Sequence, residues 1–346
     1  MQVQGYAALG AKETLVPFAF DRRELRPHDV AFDILFSGIC HSDIHQVDED
    51  WGPSIFPMVP GHEIVGVVTA LGTEATKFQV GERIGVGTFV DSCRECEYCR
   101  RGEEQYCRTG DTPTYNGYER DGTTIAQGGY SNRFVVDERF AVRISEDLDL
   151  AGVAPLLCAG ITLYSPLRHW GAGPGVKVGI IGLGGLGHMG VKFAAALGAH
   201  TTVFSHSANK RDDAARLGAH EFVHSTSAEE MAASAGRFDL LINTVSADLD
   251  LAPYLEALSV DGTLVLVGLP PHPFPVGAMP LVNKRRAVAG SMAGGMAELQ
   301  EMLDFCAEHR ITSDVEVVAA DYIARAFERT IASDVKYRFV IDASSF

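Results

Sequence analysis

Residues 176–199 read VKVGIIGLGGLGHMGVKFAAALGA, and the pattern changes halfway. VKVGII is a short, continuous apolar run of the kind that forms a strand buried on both faces, whereas HMGVKFAAALGA carries its apolar residues at helical spacing. Between them lies GLGGLG, which puts Gly182, Gly184 and Gly187 at the positions of a G-x-G-x-x-G turn with Leu183, Gly185 and Leu186 between them. In a strand, turn and helix setting each glycine has a physical task. Gly182 permits the tight turn, Gly184 lets the main chain approach a pyrophosphate, and Gly187 allows the helix to pack closely on the sheet. The phosphates are expected at the helix N-terminus, where unpaired N–H groups and the dipole favour anions. The segment is apolar enough to resemble a membrane span, but its glycines, Lys177, His188, Lys192 and change of period argue for a buried strand followed by a helix.

Working outward, the downstream chain alternates strand-like and helix-like runs: HTTVFS, NKRDDAARLGA, FDLLINTVS, LAPYLEALSVDGTLVLVG and RAVAGSMAGG. Strands spaced by helices of this length predict an α/β doubly wound parallel sheet of the Rossmann type. Upstream, to about Ile144, short β-rich runs such as VAFDILFSGIC, HEIVGVVTALG and FVVDERFAVRI are broken by Gly and Pro, which predicts an irregular, mostly β domain. The strand-like KYRFVIDA near the end is expected to return to that first domain. The expected organisation is a catalytic domain over 1–153, an inserted nucleotide-binding domain over 154–293, and a return over 294–346. Ligands of such a sheet gather at the carboxyl ends of its strands, so the active site is expected in the cleft between the domains.

A chain of 346 residues, 46% hydrophobic, exceeds what one core usually accommodates and suggests two domains. Its formal net charge of −16 disfavours nucleic acid, because backbone phosphates would be repelled. The N-terminal MQVQGYAALGAKETLVPF has no basic region followed by an apolar core and a small-residue cleavage site, so the expectation is a cytoplasmic chain with reduced thiols.

Of the seven cysteines, Cys93, Cys96, Cys99 and Cys107 sit together in CRECEYCRRGEEQYC, within a lobe spanning 91–109. Two-residue gaps let consecutive thiolates turn toward one ion, and four sulfurs leave no coordination position for a substrate, so the cluster reads as a structural zinc site. The mixed Arg and Glu residues around it make a solvated surface and argue against a nucleic-acid-binding ribbon. Cys40, His62 and Cys158 are scattered, each in a Gly-flanked setting; two thiolates and an imidazole would leave a fourth tetrahedral position open, which reads as a catalytic zinc site. Cys306, in a helical pattern, reads as a small buried apolar residue.

An NAD site of this type places an acidic residue about twenty positions after the glycines, at the end of the second strand. That place reads TTVFSHSANKR: no carboxylate, but Ser205, His206 and Ser207 followed by Lys210 and Arg211. Hydroxyls and cations suit a 2′-phosphate, so NADP(H) is expected over NAD(H).

Around the scattered ligands the chain reads GICHSDIHQVDEDW, VPGHEIVG and APLLCAGITLYSPL, and near the end DVKYRFVID. With the four-cysteine lobe and GLGGLG, these segments resemble the zinc-dependent medium-chain alcohol dehydrogenases over essentially the whole length. Within them they are most similar to the cinnamyl alcohol dehydrogenase group of NADP-dependent aldehyde reductases. The resemblance implies a GroES-like catalytic domain, two zinc ions per chain, and a primary alcohol/aldehyde substrate pair, aromatic or medium-chain aliphatic. It implies Cys40, His62 and Cys158 as catalytic zinc ligands. Glu63 is implied either to exchange with water at the metal or to pair with an arginine, for which Arg338 is the candidate. Asp43 is expected to accept the other ring N–H of His62. Ser42 and His45 are read as a proton relay, His41 and Thr162 as cofactor contacts, and Trp51, after Asp50, as a pocket wall or a core residue. The resemblance also makes a homodimer the expectation, with RAVAGSMAGG extending the sheet across a two-fold axis.

Two other readings compete. A polyol or sugar dehydrogenase shares the fold and zinc, but such enzymes more often lack one cysteine ligand and carry the NAD acid. A zinc- and nucleotide-binding protein without turnover would need only GLGGLG and a cleft, not the full set of ligands and relay residues.

Overall fold

The strand Asp29–Ile39, DVAFDILFSGI, is the axis of the β-rich part of the molecule. It is buried for much of its length, its side chains entering core clusters and both its edges occupied by antiparallel pairing with Ile64–Leu71, Arg133–Asp137 and Arg338–Asp342. The sheet runs in the order Val142–Arg143, Arg83–Val86, Ile64–Leu71, Asp29–Ile39, Arg338–Asp342, Val315–Val318, with Arg133–Asp137 also on Asp29–Ile39. KYRFVIDA therefore does come back to this sheet, Phe339 facing Ile39 across the ladder. Phe32, Ile34, Ile64, Val68, Ile84, Val86 and Phe134 fill one core cluster, and Ile39, Val59, Tyr130, Phe339 and Ile341 belong to another. At its C-terminal end the central strand delivers Cys40, which caps the helix His41–Val47.

The computed structural model describes all 346 residues, and their contacts group into two units: Met1–Ile161 with Gly294–Phe346, and Thr162–Ala293. Residues 154–161 correct the expected boundary, which assigned them to the nucleotide domain. They pack in the first unit because Ala154, Leu156, Leu157 and Cys158 are buried, and Leu157 lies against Gly85 and Gly87, whose missing side chains make room for it. Cys158 thereby joins the unit that holds Cys40 and His62.

The second unit is a six-stranded parallel sheet. Its order is Glu221–His224, His200–Ser205, Lys177–Ile181, Phe238–Asn243, Leu258–Leu266, Ala287–Gly290, which is 3-2-1-4-5-6 in the unit's own strand sequence. This is the doubly wound order, with the chain reversing its direction of travel beside Lys177–Ile181. The edge strand Glu221–His224, EFVH, lies between the segments singled out by pattern: at four residues, of which Val223 alone is buried, it is too short to show a period. Phe204 stands at the middle of the core, its ring 5.1 Å from Phe238 and 5.7 Å from Tyr254. No single helix is long and apolar enough to cross a membrane.

Phe204→Ala is expected to destabilise the second unit by about 3–5 kcal/mol, the usual cost of emptying a buried ring. Denaturant titration followed by Trp170 fluorescence in a Trp51→Phe background reads this unit; a loss below about 1 kcal/mol would contradict the packing described.

Candidate functional site

Two groups of ligand-type side chains converge in the first unit. The ligand atoms of Cys40, His62, Glu63 and Cys158 lie within 4.8 Å of one another, as do those of Cys93, Cys96, Cys99 and Cys107. The sulfur separations test whether zinc fits. A tetrahedral ion with Zn–S bonds of about 2.3 Å sets its sulfurs about 3.8 Å apart. Observed separations are 4.0 Å for Cys40 to Cys158, 3.8 Å for Cys93 to Cys99 and 3.5 Å for Cys96 to Cys99, and all seven cysteines are free thiols. Both donor sets fit the ion.

In the buried group each ligand comes from a different element: Cys40 from the strand end, His62 from the loop before Ile64–Leu71, and Cys158 from the turn before the helix Ala159–His169. The carboxylate of Asp43, fully buried, organises them. It accepts the Cys40 N–H at 2.9 Å, the Gly61 N–H at 3.1 Å and His62 Nδ1 at 3.1 Å, which directs Nε2 of His62 away from Asp43. Burial pulls the His62 imidazole down, but the Asp43 carboxylate and the Cys40 sulfur override it and raise the ring well above its ordinary value. The Cys158 thiol, 4.0 Å from the Cys40 sulfur, draws Cys40 down against the cost of burial and is itself pushed up.

Glu63 pairs with Arg338 through Oε1, while its Oε2 has no hydrogen-bond partner. The two sequence readings of Glu63 are thus compatible: the arginine holds one oxygen and the carboxylate stays within reach of the ligand group. Burial pushes the Glu63 carboxyl up to about 7 in spite of Arg338. Room for it comes from Gly38, where a Cβ would lie 2.0 Å from Glu63 Oε2. Ser42 places its Oγ 3.6 Å from the Cys40 sulfur. His45, one turn further along the same helix, is half-buried; its Nδ1 bonds Asp50 at 2.7 Å and its ring lies 4.9 Å from that of Trp51. Trp51 is 44% exposed, so it is not a core residue. His41 is exposed at the start of that helix, and Thr162 lies half-buried in the helix Ala159–His169.

The four-cysteine lobe is partly open to solvent. The Arg108 N–H brings the Cys96 thiol down to about 7; burial opposes the same at Cys107, but the Cys93 N–H and Thr109 carry it down to about 6; burial pushes Cys99 up to about 12. A neighbouring cavity of about 820 Å³ is lined by Arg22, Arg23, Arg26, Arg94, Arg120 and Arg139. It holds no reactive constellation, since those guanidiniums are engaged by carboxylates or main-chain carbonyls. Cys306, fully buried with its Sγ 3.7 Å from Met302 Sδ, is a core residue.

In the second unit GLGGLG turns between the strand Lys177–Ile181 and the helix Gly187–Ala196. Gly182 has φ +91°, which L side chains rarely adopt. A Cβ on Gly187 would sit 2.0 Å from the Gly182 carbonyl oxygen, so Gly187 closes the turn on itself rather than on the sheet. At Gly184 a Cβ would meet nothing within 4 Å, which is the open main chain that a pyrophosphate needs. Ser205 ends the second strand and its Oγ accepts the Ser207 N–H at 3.2 Å; His206 is exposed. Lys210 reaches back to the glycine turn, donating to the Leu183 carbonyl at 2.7 Å. Arg211 turns instead to the edge strand, its guanidinium 4.7 Å from the Phe222 ring and 3.8 Å from Glu230. No carboxylate stands at residues 205–207. These residues fit a phosphorylated ribose better than a bare one.

Comparison with known proteins agrees with this geometry. Residues 26–146 match the alcohol dehydrogenase GroES-like domain and residues 185–308 match zinc-binding dehydrogenase. The chain belongs to the zinc-binding alcohol dehydrogenase family. Its dehydrogenase relatives include NADP-dependent alcohol dehydrogenase C 1 of Mycolicibacterium smegmatis, 57% identical over 99% of this chain and 98% of that one. Aldehyde reductase YahK of Escherichia coli is 52% identical over 99% and 98%. The crystal structure of CAD from Helicobacter pylori complexed with NADP(H) superposes with a TM-score of 0.93 at 38% identity, covering 100% of this chain and 99% of that chain.

Three features of the dehydrogenase site escaped sequence reasoning. Gly38 was marked only by being a glycine inside a long strand. Tyr115, whose ring lies 5.8 Å from that of His62, and Tyr130, whose hydroxyl donates to Asp43 Oδ2 at 2.9 Å, come from segments with no local signature.

Cys107→Ser is expected to lower the zinc content by one ion per chain and to expose residues 93–110 to protease while nucleotide binding by the second unit persists. In the unaltered protein, affinity at the lobe should fall as pH drops through about 7 and 6, because protons then compete for Cys96 and Cys107. Metal analysis and chelator titration between pH 5 and 8 check both; a pH-independent affinity would contradict the assignment.

Proposed function

We propose that this dehydrogenase transfers a hydride between NADP(H) and a primary alcohol/aldehyde pair, aromatic or medium-chain aliphatic, and works as an aldehyde reductase. The observation that carries the reading is the buried set of two cysteines and one histidine, oriented by Asp43, with the Ser42 hydroxyl beside it. Cys40, His62 and Cys158 would hold the catalytic zinc with Glu63 as an exchangeable neighbour, and Cys93, Cys96, Cys99 and Cys107 the structural one. Bound there, zinc supplies Lewis-acid polarisation of the substrate oxygen.

The chain's own residues do the rest. Hydride transfer leaves a proton to be moved separately. In the reducing direction Ser42 Oγ gives a proton toward the new hydroxyl and is resupplied from solvent by way of His45, which Asp50 holds in one orientation. In the oxidising direction the same groups run in reverse. Arg338 balances the charge of Glu63 and of the thiolates, so the buried carboxylate is tolerated. Gly182, Gly184 and Gly187 with Leu183, Gly185 and Leu186 would cradle the pyrophosphate. Ser205, Ser207 and Lys210, with His206 and Arg211 nearby, would meet the 2′-phosphate. His41 and Thr162 complete the proposed cofactor contacts. We also infer a homodimer through the edge strand Ala287–Gly290, beside which Met279, Val282 and Met292 expose apolar surface in sequence-adjacent segments, and a cytoplasmic location in keeping with seven free thiols.

With cinnamaldehyde, the initial rate with NADPH is expected to exceed that with NADH at least tenfold at matched concentration, about 1.4 kcal/mol in transition-state stabilisation. Lys210→Met should lower kcat/KM for NADPH by about tenfold or more and change the value for NADH much less. Equal rates with both cofactors would refute the 2′-phosphate reading and leave the zinc chemistry standing. No turnover by zinc-replete protein with either cofactor would refute the aldehyde-reductase reading.

A further inference from the structure

We propose that the Tyr130 hydroxyl is a positioning group for the catalytic metal centre, acting through Asp43 to hold His62 in its ligating orientation, and that a clamp made by Arg22 keeps Tyr130 in place. The proposal rests on reading Cys40, His62 and Cys158 as zinc ligands.

An ionised carboxylate has about four lone-pair sites. At Asp43 all are filled: Oδ1 accepts from the Gly61 N–H and from His62 Nδ1, and Oδ2 accepts from the Cys40 N–H and the Tyr130 hydroxyl. The terminal torsion of an aspartate is broad, so the plane of the carboxylate is set by its donors rather than by its own rotamer. Three of these donors belong to the ligand residues or to the residue just before one. They cannot serve as an external reference, because they move with what they orient. Two hydroxyls come from elsewhere in the chain: Tyr115, which also hydrogen-bonds with Asp43, and Tyr130, which sits on Oδ2 at 2.9 Å. Loss of the Tyr130 hydroxyl would take from Oδ2 the donor that stands opposite the Cys40 N–H and loosen the plane against rotation away from His62.

The surroundings are built to place that hydroxyl. The segment QGGYS, 127–131, is zipped to the ligand-bearing segment: the Gly128 N–H donates to Val59 O at 2.7 Å, Gly129 N–H to Gly61 O at 2.9 Å and Tyr130 N–H to Pro60 O at 2.9 Å. The approach is too close for side chains. A Cβ on Gly61, φ +103°, would lie 2.5 Å from Tyr130 Cδ1, one on Gly128 2.3 Å from Pro60 O, and one on Gly129 2.4 Å from Ile64 Cγ1. Behind this segment Arg22 spreads its guanidinium over the loop. Nη1 donates to Gln127 O at 2.8 Å, Nη2 to Gly128 O at 2.6 Å and Ser131 Oγ at 3.0 Å, and Nε to Arg133 O at 2.6 Å, with the Phe134 ring 4.2 Å away. A half-buried arginine spent on four acceptors in and beside this loop is a costly device for a loop with no further task.

Tyr130→Phe removes one oxygen and keeps the ring. In the zinc-replete holoenzyme the two ions are assigned by comparison with Cys107→Ser, which lacks the lobe ion, and their release to a chromophoric chelator is followed. The catalytic-site ion is expected to leave about tenfold to a hundredfold faster, the range for loss of an outer partner of a metal-bound histidine, with the lobe ion unchanged within twofold. In an Asp43→Asn background the same substitution should add nothing, because Tyr130 acts through Asp43. Equal acceleration of both ions would show general loosening and overturn the proposal, as would no change in either or an additive effect on Asp43→Asn. Should Tyr130→Phe not fold, Arg22→Lys is expected to speed the same ion selectively, and a parallel or absent change there overturns it equally. Wild-type protein holding only one ion would instead refute the metal reading beneath it.

Discussion

The site depends on one buried carboxylate. Asp43 is cut off from solvent, and a charge in that position is tolerable only if protein donors replace water. It is satisfied by groups from three stretches of chain: the end of the central strand, the loop carrying His62, and the loop carrying Tyr130. The same hydrogen bonds that make Asp43 acceptable therefore lock Cys40, His62 and the Tyr130 loop into one geometry. Asp43 also occupies the third position of the helix that Cys40 caps, so reaching back to the Cys40 N–H satisfies one of that helix's unpaired donors.

Charge is balanced around this carboxylate in layers. Glu63 and the Cys40 thiolate face Arg338, whose guanidinium is buried and is kept charged by Glu63 and the cysteines against the pull of desolvation. Gly38 supplies the space, since any side chain there would displace the Glu63 carboxylate. Removing any one of these charges would leave another buried without a partner, which is why such groups are expected to be mutually dependent rather than additive. The four-cysteine lobe obeys a different logic. It is half-open, its sulfurs receive main-chain N–H groups, and it joins the rest of its unit through Glu104, which accepts the Met296 N–H at the start of the helix Met296–His309.

In the nucleotide unit the constraint is steric. The turn after Lys177–Ile181 closes so tightly that Gly182 and Gly187 nearly touch, while a side chain at Gly184 would meet nothing within 4 Å. Lys210 links this turn to the end of the second strand, where Ser205 and Ser207 stand in place of an acid. These residues lie on one short connection, far in sequence from Ser42 and His45.

Much of this was legible in the chain alone. GLGGLG could be read because backbone sterics at a strand-to-helix turn admit only glycine at set spacings, and the four-cysteine lobe because its ligands are local. Cys40, His62 and Cys158 were legible through chemistry and family resemblance, and Asp43 and Arg338 as their neighbours. What the tertiary structure alone decided is who supports them. Tyr130, Arg22 and Gly38 carry no local pattern, because a buried hydroxyl, a clamp on carbonyls and a missing side chain matter only through contacts between segments far apart in sequence. The assignment of residues 154–161 to the first unit was decided in the same way, by the space beside Gly85 and Gly87 that Leu157 fills. Local stereochemistry is written in neighbouring residues; long-range packing is not, since it depends on which surfaces folding brings together.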